Sequence, residues 1–473
     1  MKQLKLLFLT VFFLTAFSGS SLGQYNAGLS YNNHFKDQAS IAQPSLLGSS
    51  YSDGYVSMPY VYAYVGNSSF DYGTLTNNLD ETNGTVEDLY QRSLDQLGEE
   101  EDRHLFSFGM EFQTLFLSYK INMGESEILT FSLGSRDRLS GNVSFSRNLY
   151  QLLRRGNKQF EGEKVQLDPF ESSMVYMRDY SLGLSREFSF PFMDDWSIRP
   201  AIQGRYIRGF ASLNLNSTDI SLHTKEGGRE IKLDMKYNLN TSHPTVPNSD
   251  NFPFPWLVQQ SPFNASTLGT GYGIDAGVTF NLGQYISLSS AVTDIGRIKF
   301  SENVRNYRHD GEHSYDGSTT NPAQFQSGGS ITDNAFIEGI LAFEEGNEPY
   351  TQSLGSKLIL EGELNFFERT TSFNDKEYTL SNFYFTFIRG FEDQLNATTR
   401  PQFTIGYNHD FYSIVNLGVN YGMGGYNQQM FGAFASFRTG LFRVGAGSNN
   451  MIALWDSSKA TGADFSVAIA GGF

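Results

Sequence analysis

Apolar and polar residues alternate along much of this chain with a period of two. Tyr180, Leu182, Leu184, Phe188 and Phe190 fall on one face, and Asp179, Ser181, Ser185, Glu187 and Ser189 on the other. Successive side chains of a strand point to opposite faces, so this pattern predicts a β-strand with one greasy and one polar side. The same alternation recurs where Ile231, Leu233, Met235, Tyr237 and Leu239 oppose Lys232, Asp234, Lys236 and Asn238. It recurs again where Tyr272, Ile274, Ala276, Val278, Phe280 and Leu282 oppose Asp275, Thr279 and Asn281. Leu358, Leu360, Leu364 and Phe366 oppose Glu361, Glu363 and Asn365, and Phe403, Ile405 and Tyr407 oppose Gln402, Thr404 and Asn408. Val56 to Val65 is the first expected strand. Leu105 to Ile121 is a long one whose parity switches between Phe112 and Leu115, which predicts a bulge near Gln113. Glu127 to Ser135 runs back. Short helices are expected in the connections: one from the Thr85 N-cap to Gly98, with Asp88 completing a capping box, and one around Ser146 to Arg155 within the connection Arg136 to Phe170, ending at Gly156-Asn157.

Charges and amides on the second face exclude a dry sandwich core for most of these strands. One face in lipid and the other toward a wet or plugged lumen fits a transmembrane antiparallel β-barrel, an all-β fold. Tight turns are expected at Gly283-Gln284, His409-Asp410 and Thr439-Gly440. Long polar loops are expected over Thr241 to Leu268, Asn306 to Leu354, Arg389 to Thr399 and Asn449 to Gly462. The count gives roughly 16 strands. Ser212 to His223 and Arg229 to Asn240 are expected to form a hairpin projecting beyond the membrane, which favours about 14, with 16 as the alternative.

The final stretch, Ala463 to Phe473, places Phe465, Val467, Ile469 and Phe473 on one face. A closing strand that ends on an aromatic resembles the signal by which barrel-assembly machinery recognises outer-membrane barrels. At the other end, Lys2 and Lys5 precede the apolar run Leu6 to Phe17 and the small residues Ser18 to Gly23. This is the layout of a secretory signal peptide. The expected organisation is therefore a leader over 1–23, an N-terminal hatch or plug segment over 24–55 and a barrel over 56–473, located in the outer membrane. Counting back from a periplasmic C-terminus puts every long loop outside.

Composition narrows the picture further. There is no cysteine, hence no disulfide and no thiolate metal site. The chain carries −16, and losing Lys2 and Lys5 with the leader takes it to −18. That balance argues against nucleic acid as a partner and suits acidic exposed loops. Phe and Tyr are abundant, as interface anchoring of a barrel requires. No later stretch is long and apolar enough for a transmembrane helix. A mean hydropathy of −0.34 does not conflict with a barrel, because only alternate residues need be apolar.

Several stretches carry a family resemblance when read in order. They are Ala42-Gln43-Pro44-Ser45-Leu46-Leu47, the strand Val56 to Val65, Asn67-Ser68-Ser69-Phe70-Asp71-Tyr72 and Leu149-Tyr150-Gln151-Leu152-Leu153 before Gly156-Asn157. Arg178-Asp179-Tyr180-Ser181-Leu182-Gly183 and Gly271-Tyr272-Gly273-Ile274-Asp275 complete the set. Together they resemble a Bacteroidota family of outer-membrane barrels of unknown function, itself similar to the long-chain fatty-acid transporter (FadL-like) superfamily. That superfamily carries a lumenal hatch marked by Asn-Pro-Ala; the matching positions here are Gln43, Pro44 and Ser45, so only the proline is kept. The resemblance implies a hatch, and the departures leave a fatty-acid site without support. The superfamily also resembles accessory barrels of the type IX secretion machinery.

Candidate chemistry is sparse. His309-Asp310-Gly311-Glu312-His313 is the densest set of candidate metal ligands, His309, Asp310, Glu312 and His313, but its spacing matches no catalytic zinc motif. A hydrated outer loop is expected there, with no metal and no cofactor. The acidic runs Glu99 to Asp102 and Glu344-Glu345 lack the calcium-loop pattern. His409-Asp410 is an acid/base pair only by adjacency, and His104 and His223 lack an evident nucleophile. An enzyme is therefore not expected. Lys232, Asp234, Lys236, Asp275, Glu361 and Glu363 are expected to line the lumen. The expected role is passive uptake of a hydrophobic or amphiphilic, lipid-like small molecule by a monomer in outer-membrane lipid. The alternative is an interaction barrel serving a secretion or surface assembly.

Overall fold

The structure, a computed structural model, describes residues 32, 34–49, 52–68, 103–124, 127–190, 196–225, 230–243, 266–315, 343–370, 377–452 and 460–472. The leader, the helix expected from Thr85, the run Glu99 to Asp102 and Phe473 lie outside the described residues. The chain opens with a helical turn α1 (Lys36–Ala39) and a 3-10 turn (Pro44–Leu46), followed by β1 (Gly54–Asn67), β2 (Arg103–Gly124) and β3 (Glu127–Ser146). Helix α2 (Arg147–Arg155) and a second 3-10 turn (Asn157–Phe160) precede β4 (Lys164–Gln166), β5 (Phe170–Ser189), β6 (Trp196–Thr224), β7 (Ile231–Ser242) and β8 (Gly269–Leu282). Then come β9 (Ile286–Phe300), β10 (Val304–Tyr315), β11 (Glu344–Gly346), β12 (Tyr350–Ser353), β13 (Lys357–Thr370) and β14 (Glu377–Gly390). The last are β15 (Gln402–Phe411), β16 (Val415–Gly424), β17 (Asn427–Thr439), β18 (Phe442–Ser448) and β19 (Gly462–Gly472).

Fourteen of these strands close a ring, all antiparallel, in the order β1-β2-β3-β5-β6-β8-β9-β13-β14-β15-β16-β17-β18-β19. The seam is β1 on β19, from Tyr55 opposite Gly472 to Gly66 opposite Gly462, with a register shift between Ser57 and Tyr60. Among the described residues, closure leaves the ring itself without an edge strand. The alternation decides which face is which. Leu182, Ile274 and Ile405 are 64%, 51% and 58% exposed on the outside, while the adjacent Ser181, Asp275 and Thr404 are buried inside. The barrel is thus inverted relative to a water-soluble core: apolar outward and polar inward.

The expected hairpin is present. The far half of β6, from Ser212 to Thr224, pairs with β7, and β7 pairs along its length with β10. β4 adds to β6 and β11 to β10, so a small rim sheet rises from the loop end of the barrel. Because Ser212 to Thr224 continues β6 and β7 lies outside the ring, the count is 14 rather than 16. The expected irregularity in β2 lies between Gln113 and Leu115.

Three sequence expectations are corrected. The first is the loop over Asn306 to Leu354, with its hydrated stretch at His309 to His313. Among the described residues it carries most of β10 and all of β11 and β12, because β10 pairs along β7. Arg136 to Ser146 is not part of a connection; it extends β3, with Arg136 and Arg138 turned inward, where carboxylates receive them. Helix α2 does start beside Ser146, whose Oγ accepts a 3.1 Å hydrogen bond from Leu149 N, and it stops at Gly156 with φ 75°. His409-Asp410 is not a turn but the end of β15. The turn follows at Tyr412-Ser413, both with positive φ, where Asp410 Oδ1 accepts a hydrogen bond from Ser413 N at 2.6 Å.

Candidate functional site in the barrel lumen

Residues 34–49 occupy the lumen near the turn end of the barrel. The path is set locally. Asn32 O accepts from Phe35 N at 2.8 Å, Ser40 Oγ donates to Asp37 O at 2.6 Å, and Pro44 opens the 3-10 turn with its φ already fixed. Gly48, at φ 85°, ends the run.

None of this segment joins the sheet. Wall side chains hold it instead. Lys36 Nζ lies 2.6 Å from Glu363 Oε1 on β13. Gln43 Nε2 donates to Glu361 on the same strand and to Ser45 Oγ, the latter at 3.0 Å. Thr279 Oγ1 on β8 donates to Ser45 O at 2.8 Å, and Ser185 Oγ on β5 donates to Leu47 O at 3.0 Å. Arg443 Nη1 on β18 donates to His34 O at 3.0 Å, and Ser118 Oγ on β2 donates to Asp37 Oδ2 at 3.3 Å. The anchors come from strands on all sides of the ring, so the segment crosses it. Phe35, Ile41 and Leu47 pack with Tyr55, Phe116 and Ala468 on the seam wall. Two glycines give it room. A Cβ on Gly277 would stand 2.9 Å from Ser45 N, and one on Gly445 would stand 2.5 Å from the Phe35 ring.

One step toward the loop end lies a belt of buried charge. Arg138 bonds Asp179 at 2.9 Å and Asp294 at 2.8 Å. Arg205 bonds Asp275 at 2.6 Å and Asp294 at 2.8 Å. Arg136 adds Asp179 at 3.1 Å, and Lys357 reaches Asp294 at 3.6 Å. These groups come from β3, β5, β6, β8, β9 and β13, a continuous arc of the wall. Isolated buried charges are very costly, whereas mutual pairing offsets the desolvation, so the arc acts as one unit. Above it an apolar cluster of Met177, Ile207, Ile298, Phe300, Leu354 and Leu395 fills the loop end.

The structure separates the residues singled out in the sequence. Gln43, Pro44 and Ser45 are buried in the crossing segment. Asp275, Glu361 and Glu363 point inward, one in the belt and two on the segment. Lys232, Asp234 and Lys236 do not line the lumen. They stand exposed on β7 in the rim sheet, paired with Glu312, Lys164 and Asp310, because β7 is outside the closed ring. There the Glu312 carboxylate holds the Lys232 ammonium above its usual range, and Lys232 in turn holds Glu312 below its own; Asp310 raises Lys236 similarly. Phe465 and Val467 face outward on β19, with Ile469 partly buried on the same strand.

The four candidate metal ligands split across β10. Asp310 and Glu312 take the lysines, while His309 and His313 face each other on the opposite side. Among the described residues no set of three His, Cys, Asp or Glu side chains converges as for a metal ion. His409 and Asp410 point apart. His409 Nδ1 meets Ser381 Oγ at 2.7 Å, whereas Asp410 faces His34 inside at 3.5 Å. His104 is enclosed by Phe145 and Tyr150.

Sequence reading missed His34. Its Nδ1 meets Ser436 Oγ at 2.8 Å while its Nε2 faces Asp410. Ser436, His34 and Asp410 are all buried, and Ser436 also bonds Asn32. This chain of contacts ties the start of the segment to β15 and β17. The belt was missed as well, although charged residues two apart, Arg136 and Arg138, were its visible signal.

A protein family described as a family of unknown function, DUF5723, matches residues 49–449. None of the curated proteins matches the chain. Among solved structures, the chain is similar to a deltaS2S3 mutant of the monoaromatic hydrocarbon channel TodX, at 9% identity over 97% of this chain and 98% of that one, with a TM-score of 0.45. It is similar to the toluene transporter TbuX of Ralstonia pickettii, at 9% identity over 95% and 99%, TM-score 0.40. A FadL homologue of Pseudomonas aeruginosa matches at 11% identity over 96% and 100%, TM-score 0.40.

Proposed function

We propose that this chain, which belongs to the DUF5723 family of unknown function, is an outer-membrane barrel that admits a hydrophobic or amphiphilic small molecule by diffusion past a movable N-terminal plug. The membrane assignment rests on the exposed apolar outer face of a closed ring. One observation carries the plug: residues 34–49 cross the lumen on side-chain anchors and take no place in the sheet. A segment held in this way moves without breaking a single ladder hydrogen bond of the wall.

The mechanism follows from the layers. A ligand enters from the loop end through the apolar cluster, passes along the charge belt and requires the segment to shift. Concentration alone drives net flow. Uptake of a labelled fatty acid into liposomes tests this, using the full chain and a chain lacking residues 24–49, which leaves β1 whole. A gating plug makes the shortened chain faster or unregulated; identical uptake by the two removes the plug reading.

A second reading, a closed scaffold for a secretion or surface assembly, draws on the rim sheet and the filled lumen. Mild crosslinking followed by purification distinguishes it: partners captured on the rim sheet favour it, and a lone monomer with liposome uptake removes it.

A further inference from the structure

The rim sheet holds a pair of side chains that the lumen does not use. In β10, Asp310 and Glu312 occupy one face, ion-paired with Lys236 and Lys232 at 2.7 Å each. His309, Gly311 and His313 occupy the other. Four residues of strand span about 13 Å, yet the Nε2 atoms of His309 and His313 are 2.7 Å apart. The rings lean toward each other, 4.9 Å between centroids and 28° from parallel. They meet because Gly311 puts no side chain between them; a Cβ there would lie 3.4 Å from both Nε2 atoms. Tyr237 backs the His309 ring, stacked at 5.4 Å and 17°. His309 is largely buried. Met235 is the register partner of Gly311. Directly opposed residues of an antiparallel ladder share a face, so Met235 stands on the side of both imidazoles.

We propose that His309 and His313 bind a copper ion, with Met235 as the thioether donor that extends the site to the reduced state. Two nitrogens at right angles, each at its usual bond length from one ion, are roughly 2.9 Å apart, close to the separation already present. Imidazole affinity among divalent first-row ions peaks at Cu(II), and thioether donors select Cu(I). The carboxylates of the same motif are turned away and neutralised by lysines. That takes two hard oxygen donors, of the kind calcium or magnesium require, away from the imidazoles. Gly311 is therefore a positioning residue, since its missing side chain lets the two donors converge.

The test uses the full chain in detergent micelles, stripped of metal. Cu(II) is titrated calorimetrically, Cu(I) against a chromogenic chelator, and Zn(II) serves as the comparison ion. One equivalent of copper should bind, with affinity falling by more than an order of magnitude in His309→Ala and in His313→Ala. Gly311→Val keeps both ligands and should weaken binding in the same way by separating them. Met235→Leu should weaken Cu(I) and leave Cu(II) nearly unchanged. Unheated gel migration checks that each variant retains its barrel. The proposal is overturned if the wild-type chain binds copper no more tightly than His309→Ala/His313→Ala, or if Zn(II) binds as tightly as copper.

Discussion

Lys36 and Glu363 form an ion pair of 2.6 Å inside the barrel, with both side chains about nine-tenths buried. One belongs to the crossing segment and the other to the wall, so the pair is a tether rather than part of the sheet. Removing one partner of a buried pair leaves a charge without compensation, at a cost of about 3–5 kcal/mol. Lys36→Met should therefore loosen the segment while the ring persists. Planar-bilayer recordings should show more frequent opening, and Lys36→Met/Glu363→Leu should partly restore the quiet state. Identical recordings from Lys36→Met and the wild type would refute the tether.

Gly277 tests a second hold on the same segment, from β8, one strand removed from β13 in the ring. A side chain there meets Ser45 backbone at 2.9 Å. Gly277→Val should push the segment off β8 and make it sensitive to added protease, with the barrel strands still protected. Gly204→Ala is the matched control, because nothing lies within 4 Å of the added carbon.

The charge belt should respond as a network. Arg138 serves Asp179 and Asp294 together. Arg138→Leu is expected to destabilise the barrel by about 3–5 kcal/mol, read as the urea midpoint of folding in lipid vesicles. Arg205→Leu/Asp275→Leu should cost less than the two single changes added, because the pair leaves together.

On the outer face, Leu182 is 64% exposed on β5. Leu182→Arg should cost roughly 2–4 kcal/mol in the same vesicle assay if this position lies near the bilayer midplane. Lys232→Ala on the rim sheet should change little, since its pair with Glu312 is exposed.

How much of this the sequence disclosed follows the physics of alternation. Tyr180 to Phe190 and Tyr272 to Leu282 reveal a face every second residue, so the barrel and the outward hairpin were legible. The same rule mispositioned Lys232, Asp234 and Lys236. Their pattern is that of a ring strand, and only pairing partners distinguish β7 from one. Arg136 and Arg138 read as loop because Asp137 stands between them and three charges in a row hide the alternation; Asp179 and Asp294, far along the chain, are what receive the two arginines. His34 could not be read at all: it meets Ser436 across about 400 positions, and no local period records such a meeting.

The seam has a kinetic meaning. Tyr55 and Gly472 are brought together across nearly the whole described chain, so zipping β1 to β19 is the least local step in forming the ring. Residues 34–49 immediately precede β1. Once that seam is zipped, the polar segment has no sideways route through a hydrogen-bonded wall. While the ring is still an open sheet the segment can be gathered in from the side; after closure its only entrance is an end of the ring.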